Sequence, residues 1–89
     1  MHTRKWTVEV ELTEQEGTTH ASARLHTEPT ARVVTGHGTA KVSPDDADVP
    51  EIGDELAASR ALTDLAGQLL HVSADDISAA THERVTLLR

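Results

Sequence analysis

Three runs of alternating apolar and polar side chains occupy the first half of the chain, and they restrict its fold more than any other feature. Over residues 6–13 every second side chain is apolar, from Trp6 to Leu12. Similar alternation follows over residues 19–27 and 32–42. Because successive side chains of a β-strand point to opposite faces, this period of two predicts half-buried strands. The connections are short, so we predict a three-stranded antiparallel meander.

The two predicted hairpins also fix a register. Glu16-Gly17 suits the positive φ that a tight hairpin turn requires, and Glu28-Pro29-Thr30 marks a second turn. Centring the hairpins on these turns places the apolar side chains on one face, whereas a slip of one residue destroys that agreement. The predicted cross-strand rows are Val8–Leu25–Val34, Val10–Ala23–Gly36 and Leu12–Ala21–Gly38.

Side-chain bulk falls toward the third strand, where Ala23, Gly36 and Gly38 form a corner with almost no side chains. A helix can approach such a surface closely, because no bulky group holds its backbone away. We therefore predict that these three residues are structural packing positions. A phosphate-binding loop is a weaker interpretation, since the glycine pattern lies inside a strand, lacks a third glycine and does not open a helix.

The second half of the chain predicts two helices. Apolar residues recur at helical spacing over residues 52–70, which indicates a long amphipathic helix. Residues 73–76 have the spacing of a capping box, so we expect a second, shorter helix to begin at Ser73 and to end near His82. Both helices are expected to pack on one face of the sheet. The stripe expected to contact the sheet comprises Ile52, Leu56, Ser59, Leu62, Leu65, Ala66 and Leu69.

The composition predicts a thin core and a partner subunit. The large apolar residues are nine Leu, eight Val, two Ile, one Trp and one Met, with no Phe or Tyr. We expect one α+β domain over residues 1–89, whose small core gains from association. The outer strands leave open sheet edges, and the tail at residues 85–88 is apolar. The sequence therefore predicts an intertwined homodimer, with or without an exchange of the tail between subunits.

The chain contains no cysteine, which excludes disulfides and thiolate metal sites and fits a reducing, cytoplasmic location. No signal peptide is visible after Met1. No run approaches the roughly 20 apolar residues that span a bilayer, so no membrane partner is expected.

Residues with catalytic or metal-binding chemistry are present but do not form a known motif. Paired carboxylates such as Asp45-Asp46 are explained as solvated loop charges, and no nucleophile elbow, P-loop or His-Glu-x-x-His pattern occurs. His20 and His37 are predicted to be diagonal neighbours, so a surface zinc site is an alternative to solvated histidines. We expect no catalytic residue, no metal, no cofactor and no enzymatic activity.

The net charge of −7 belongs to the second half of the chain. Residues 1–42 hold five basic and five acidic side chains, whereas residues 43–89 hold three basic and ten acidic ones. Acidic helices repel a phosphate backbone, so an RNA contact must use the sheet and its loops. The candidate contacts are Arg24, Arg32 and Lys41. The outer sheet face carries no aromatic residue, which excludes base stacking there, and no DNA partner is expected.

A specific residue pattern covers most of the chain. It comprises residues 49–56, Arg60-Ala61-Leu62, Asp64-Leu65, Trp6-Thr7-Val8, Ala23-Arg24-Leu25, Gly36-x-Gly38-x-Ala40, Asp76-Ile77 and Thr81-His82. In this pattern the chain resembles a small actinobacterial family of unknown function that is linked to dormancy and stress. The resemblance implies a fold of the double-stranded-RNA-binding-domain type. It also implies a dimer similar in shape to ribosome hibernation-promoting factors, and it implies no catalytic residues.

Two functions are therefore expected as alternatives. The first is a non-enzymatic, homodimeric stress protein that binds the ribosome or structured RNA through Arg24, Arg32 and Lys41 and lowers translation. The second is a protein-interaction or small-ligand-binding module without a nucleic-acid role. In that case the acidic helix face or the dimer cleft would hold the partner.

Overall fold

The computed structural model describes residues 1–28, 32–41 and 50–81. Three strands, β1 (Thr7–Gln15), β2 (Thr18–His26) and β3 (Val33–Lys41), form one antiparallel sheet in the order β1-β2-β3. One helix, α1 (Pro50–Thr81), follows and packs on one face of the sheet. The predicted α+β class and the three-stranded meander are confirmed.

The turn between β1 and β2 is built as predicted. Glu16 and Gly17 have φ values of 51° and 76°, so both central residues adopt the left-handed conformation. This is the backbone that a two-residue hairpin needs to match the twist of its strands. The central residues of the second turn, 29–31, lie outside the described residues, as do the connector at 42–49 and the predicted apolar tail at 85–88.

Both predicted registers are confirmed. In the first hairpin Val10 lies opposite Ala23, and in the second Ala23 lies opposite Gly36. All the other predicted partners follow from these two pairs. The side of the sheet that carries these residues faces α1, and the opposite side is called the outer face below.

The predicted packing role of the glycine corner is also confirmed. A β-carbon on Gly36 would collide with the backbone of Ala61 and would lie 2.8 Å from Leu65 Cα. One on Gly38 would lie 2.5 Å from Ala57 O. The helix backbone therefore rests directly on the strand, and Ala23 beside it is completely buried. Only a surface without side chains permits an approach this close.

The prediction of two helices is wrong, because α1 continues without interruption from Pro50 to Thr81. The capping-box residues that begin at Ser73 lie inside it. Neither glycine nor proline lies between Leu69 and Ser73, so nothing ends the first helix. Extending an existing helix adds one hydrogen bond per residue, whereas a new helix must pay for nucleation again.

The predicted helix stripe is also partly wrong. Leu65 is buried against the sheet and Leu69 is packed beside it, but Ile52, Leu56 and Leu62 are between 43% and 55% exposed. The residues that contact the sheet are mostly small, because the glycine corner brings the two backbones too close for large side chains. The resulting core comprises Ala21, Ala23, Leu25, Val34, Ala40, Ala57, Ala61 and Leu65.

Candidate interaction surface

The three residues predicted to contact RNA do not form one basic patch. Arg24 and Lys41 belong to the outer face, but the register separates them by six residues along the strands, about 20 Å. Arg32 instead turns toward α1, where its Nη1 donates a hydrogen bond of 2.9 Å to Asp76 Oδ2. Both side chains of this ion pair are about half exposed, so it is a weak surface contact.

The predicted histidine pair lies where the register requires. His20 is opposite Thr39 and His37 is opposite Ser22, which makes the two histidines diagonal neighbours on the outer face. Among the described residues, no group of three or more His, Asp or Glu side chains is placed to hold a metal ion. The same part of the chain contains no helix that is both long and apolar enough to cross a membrane.

The outer edge of β3 is closed by side chains of α1. Arg60, Asp64 and Gln68 are spaced one helical turn apart, reach over the strand and bond to backbone groups that a further strand would otherwise use. The bonds run from Arg60 Nη1 to Thr39 O (2.7 Å), from His37 N to Asp64 Oδ2 (2.8 Å) and from Gln68 Nε2 to Thr35 O (2.8 Å). Asp64 also accepts a hydrogen bond of 3.1 Å from Gln68 Nε2, which orients both side chains.

The outer edge of β1 is open in the described part of the chain. Because α1 bonds to odd-numbered residues of β3 at its free edge, the even-numbered residues of β3 bond to β2. The partners of these β3 residues are the odd-numbered residues of β2, so the even-numbered residues of β2 bond to β1, where their partners are odd-numbered. The even-numbered residues Val8, Val10 and Leu12 therefore direct their peptide groups away from β2. No described strand lies beside them, since the sheet ends at β1.

The helix-facing side of β1 is uncovered as well. Trp6, Val8, Val10 and Leu12 point to the same side of the sheet as α1, yet they are between 37% and 53% exposed. The helix lies over β2 and β3 and hardly contacts β1. We call this set of four side chains the β1 apolar row. Exposed apolar residues that adjoin one another in this way mark a binding surface more often than isolated ones do.

The wall of this surface is formed by one side of α1. Arg60 and Leu62 lie on opposite sides of Ala61, each about 100° around the helix axis. Because Arg60 reaches the edge of β3, Leu62 must face the β1 side, where it is 43% exposed. We call the surface between the β1 apolar row and the side of α1 that carries Leu62 the β1 groove.

A pocket of about 370 Å³ ends the β1 groove near the start of β1. Leu25, Leu69 and the indole of Trp6 are among its apolar lining residues. Arg32 and Asp76, joined by their ion pair, lie at its border. The pocket can therefore accept an apolar side chain whose neighbours are polar.

Comparison with known proteins identifies the relatives of this chain. A family model described as Rv2632c-like matches residues 4–86. The chain belongs to the Rv2632c-like family. The uncharacterised protein MT1780 of Mycobacterium tuberculosis is 47% identical over 83 residues, which cover 93% of this chain and 86% of that protein. The uncharacterised protein Rv2632c of the same species is 44% identical over 79 residues, which cover 89% and 83%.

A crystal structure of Rv2632c supports the fold. It matches this chain with a TM-score of 0.82 at 40% sequence identity, over 93% of this chain and 96% of Rv2632c. The expected membership of a family with actinobacterial, here mycobacterial, relatives is confirmed. The likeness to double-stranded-RNA-binding domains and to hibernation factors stays a prediction.

Two features of this Rv2632c-like chain were not predicted from its sequence. The first is the closed edge of β3: the spacing of Arg60, Asp64 and Gln68, every fourth residue, can be read from the sequence. Their hydrogen-bond partners cannot, because these depend on which strand the helix covers. The exposure of the β1 apolar row was missed for the same reason, since its alternation alone indicates burial.

Proposed function

We propose that this protein is a non-enzymatic interaction module that works as a homodimer and uses the β1 groove as its contact surface. The observation that carries the proposal is the β1 apolar row, which lies open beside a sheet edge that is also open. The opposite edge of the same sheet is closed by α1. This difference between the two edges favours one defined contact surface.

The β1 apolar row supplies a driving force for association. Its four side chains are between 37% and 53% exposed in the single chain, and a stable interface buries about 800 Å² on each partner. Moving a half-exposed valine, leucine or tryptophan out of water contributes on the order of 1 kcal/mol each.

The test is a measurement of molar mass by light scattering and of the dimer dissociation constant by analytical ultracentrifugation. Val10→Asp places a charge in the middle of the groove in both subunits, so we expect the dissociation constant to rise at least about a hundredfold. Thr13→Asp adds the same charge to the outer face of the same strand and is the matched control. A wild-type chain that stays monomeric at all accessible concentrations would refute the proposal.

Association with the ribosome or with structured RNA is a second proposal, and the outer face carries it because no described element covers that face. Its predicted RNA-contact residues are Arg24 and Lys41. Sedimentation of ribosomes from stressed cells tests it, and absence of the protein from every ribosomal fraction at low salt would refute it. The acidic second half of the chain and the distance between the two basic residues make the interaction module the better supported function.

The dependence of binding on salt concentration distinguishes the two proposals. Two subunits that each carry a charge of −7 repel one another, so added salt should strengthen the homodimer. Binding to a phosphate backbone should weaken with salt, because the counterions that it releases gain less entropy when the solution already contains more salt. Cytoplasmic location and a role in stress belong to the same proposals and rest on the sequence alone.

A further inference from the structure

We infer that the occupant of the open β1 edge is β1 of a second copy, paired antiparallel so that Val8 lies opposite the partner's Val8. This inference rests on the proposed homodimer and specifies how its two subunits meet. It produces one six-stranded sheet with a two-fold axis at Val8.

Backbone geometry makes β1 the only described edge that can accept a strand. At β3 one outward peptide group of each of Thr35, His37 and Thr39 is bonded to a side chain of α1, at 2.7 to 2.8 Å, and these side chains occupy the space beside the strand. At β1 the outward peptide groups of Val8 and Val10 have no described strand beside them. Strand addition satisfies a row of donors and acceptors at once, which is how proteins commonly use an open edge.

A second copy suits this edge because each copy brings the same apolar row. In a two-fold antiparallel pair, a residue lies opposite a partner residue whose number has the same parity. The β1 apolar row of one subunit therefore meets the β1 apolar row of the other on the helix side. Centring on Val8 places Trp6 opposite the partner's Val10, so three apolar rows form across the axis.

Charge on the outer face selects among the registers. A pair centred on Val10 would place Glu9 opposite the partner's Glu11, and a pair centred on Glu9 would place two copies of Glu9 together. Like charges directly opposite one another destabilise a strand pair. The pair centred on Val8 instead places Lys5, two residues before the start of β1, opposite the partner's Glu11, so the inferred pairing extends the strand to Lys5.

A shift in the other direction is disfavoured by packing. Centring on Thr7 would place Lys5 opposite the partner's Glu9, which is also a favourable charge pair. It would, however, form only two apolar rows, both between Trp6 and Val8, and it would place Val10 opposite the partner's Arg4. The register centred on Val8 forms three such rows and moves Arg4 outward, opposite the partner's Leu12. Only the register centred on Val8 combines opposite charges on the outer face with three apolar rows on the helix side.

The natural lack of cysteine provides a clean test by disulfide cross-linking. In the inferred register, the α-carbons of residue 8 in the two copies lie about 5.5 Å apart, within the range of a disulfide. We expect full-length Val8→Cys to form a disulfide-linked dimer under mild oxidation, seen as a band of doubled mass on a non-reducing gel. Val10→Cys is the matched control, since its two copies would be offset by about 14 Å along the strands.

A second pair of variants keeps the inference testable if Val8→Cys does not fold. Thr7→Cys mixed with Glu9→Cys should form a mixed disulfide, because both residues are exposed and directly opposite across the interface. Neither variant should form a disulfide-linked dimer when it is the only variant present.

The possible failures are distinguishable. A dimer that cross-links at Val10→Cys, or at Thr7→Cys or Glu9→Cys alone, has another register and overturns the inference. A dimer that none of these variants cross-links is not paired through β1 in the inferred way, which also overturns the inference. In that case Val10→Asp decides the proposed function, because it still weakens a dimer that uses the β1 groove and leaves a dimer held by another surface unchanged. A chain that is monomeric in ultracentrifugation refutes both.

Discussion

Replacing Gly36 by alanine tests how closely α1 rests on the sheet. The added β-carbon would collide with the backbone of Ala61 and lie 2.8 Å from Leu65 Cα, whereas ordinary contact begins at 3.4 Å. Backbone atoms of a helix cannot rotate away from a collision. The middle of α1 must therefore move off the sheet by about half an ångström or more, which opens gaps around the small residues of the core.

The expected cost follows from this geometry. Overpacking of a filled site costs about 1–3 kcal/mol, and the entropy gained by removing a glycine returns about 0.5–1 kcal/mol. We expect Gly36→Ala to lower the free energy of unfolding by about 1–2 kcal/mol and Gly36→Val to lower it further. In a domain of this size each kcal/mol lowers Tm by about 4–8 °C.

The assay is urea unfolding followed by circular dichroism, at one fixed protein concentration because association would shift the midpoint. Ser22→Thr is the control, since it adds one methyl group to the outer face of the central strand, away from α1. We expect that variant to remain within about 0.5 kcal/mol of the wild type. A Gly36→Ala midpoint equal to that of the wild type would show that the close packing does not exist.

Three further predictions concern the hairpin and the contacts of α1. Gly17→Ala should lower the free energy of unfolding by about 1 kcal/mol in the same assay, because alanine is strained at a φ of 76° although the space around it is open. Arg32→Ala should cost less than about 1 kcal/mol, and 1 M salt should reduce the difference from the wild type, since its ion pair with Asp76 is half exposed. Asp64→Ala should speed amide hydrogen exchange at His37 by on the order of tenfold, because the amide loses its acceptor. An unchanged exchange rate, measured by NMR, would contradict the closure of the β3 edge by α1.

The hairpins could be predicted because two independent signals agree there. The alternation of side chains allows two phases, and the turn residues select one of them. Glu16-Gly17 fixes the first pairing, and Glu28-Pro29-Thr30 fixes the second. The rows that follow from both end at Gly36 and Gly38, which have no other evident role in a strand. The taper of the sheet and the site of helix contact were therefore contained in the sequence.

The face of α1 could not be predicted in the same way. Large apolar side chains normally mark the buried side of a helix, and this rule selects Ile52, Leu56 and Leu62. The structure buries Ala57 and Ala61 instead, because the glycine corner leaves room for little more than a methyl group. The buried face depends on the partner surface, which a helical period does not contain.

The candidate site was harder to predict, because it is defined by what α1 fails to cover. The sequence shows that β1 has one apolar face, and its small number of large apolar residues predicts a partner subunit. It does not show which edge the helix closes. That choice requires knowing that Arg60, Asp64 and Gln68 lie beside β3 and not beside β1.

The glycine corner leads to the β1 groove, because it sets the lateral position of α1 on the sheet. Three strands spaced about 4.8 Å apart make a surface about 14 Å wide, whereas a helix with its side chains is about 10–12 Å wide. One helix cannot cover all three strands, so its lateral position decides which strand is exposed. Gly36 and Gly38 allow the closest contact at β3, which draws α1 toward that edge and brings its polar side chains over it. The cost of this placement is that the larger apolar residues of β1 stay in water, and the proposed pairing with a second copy of β1 would cover them.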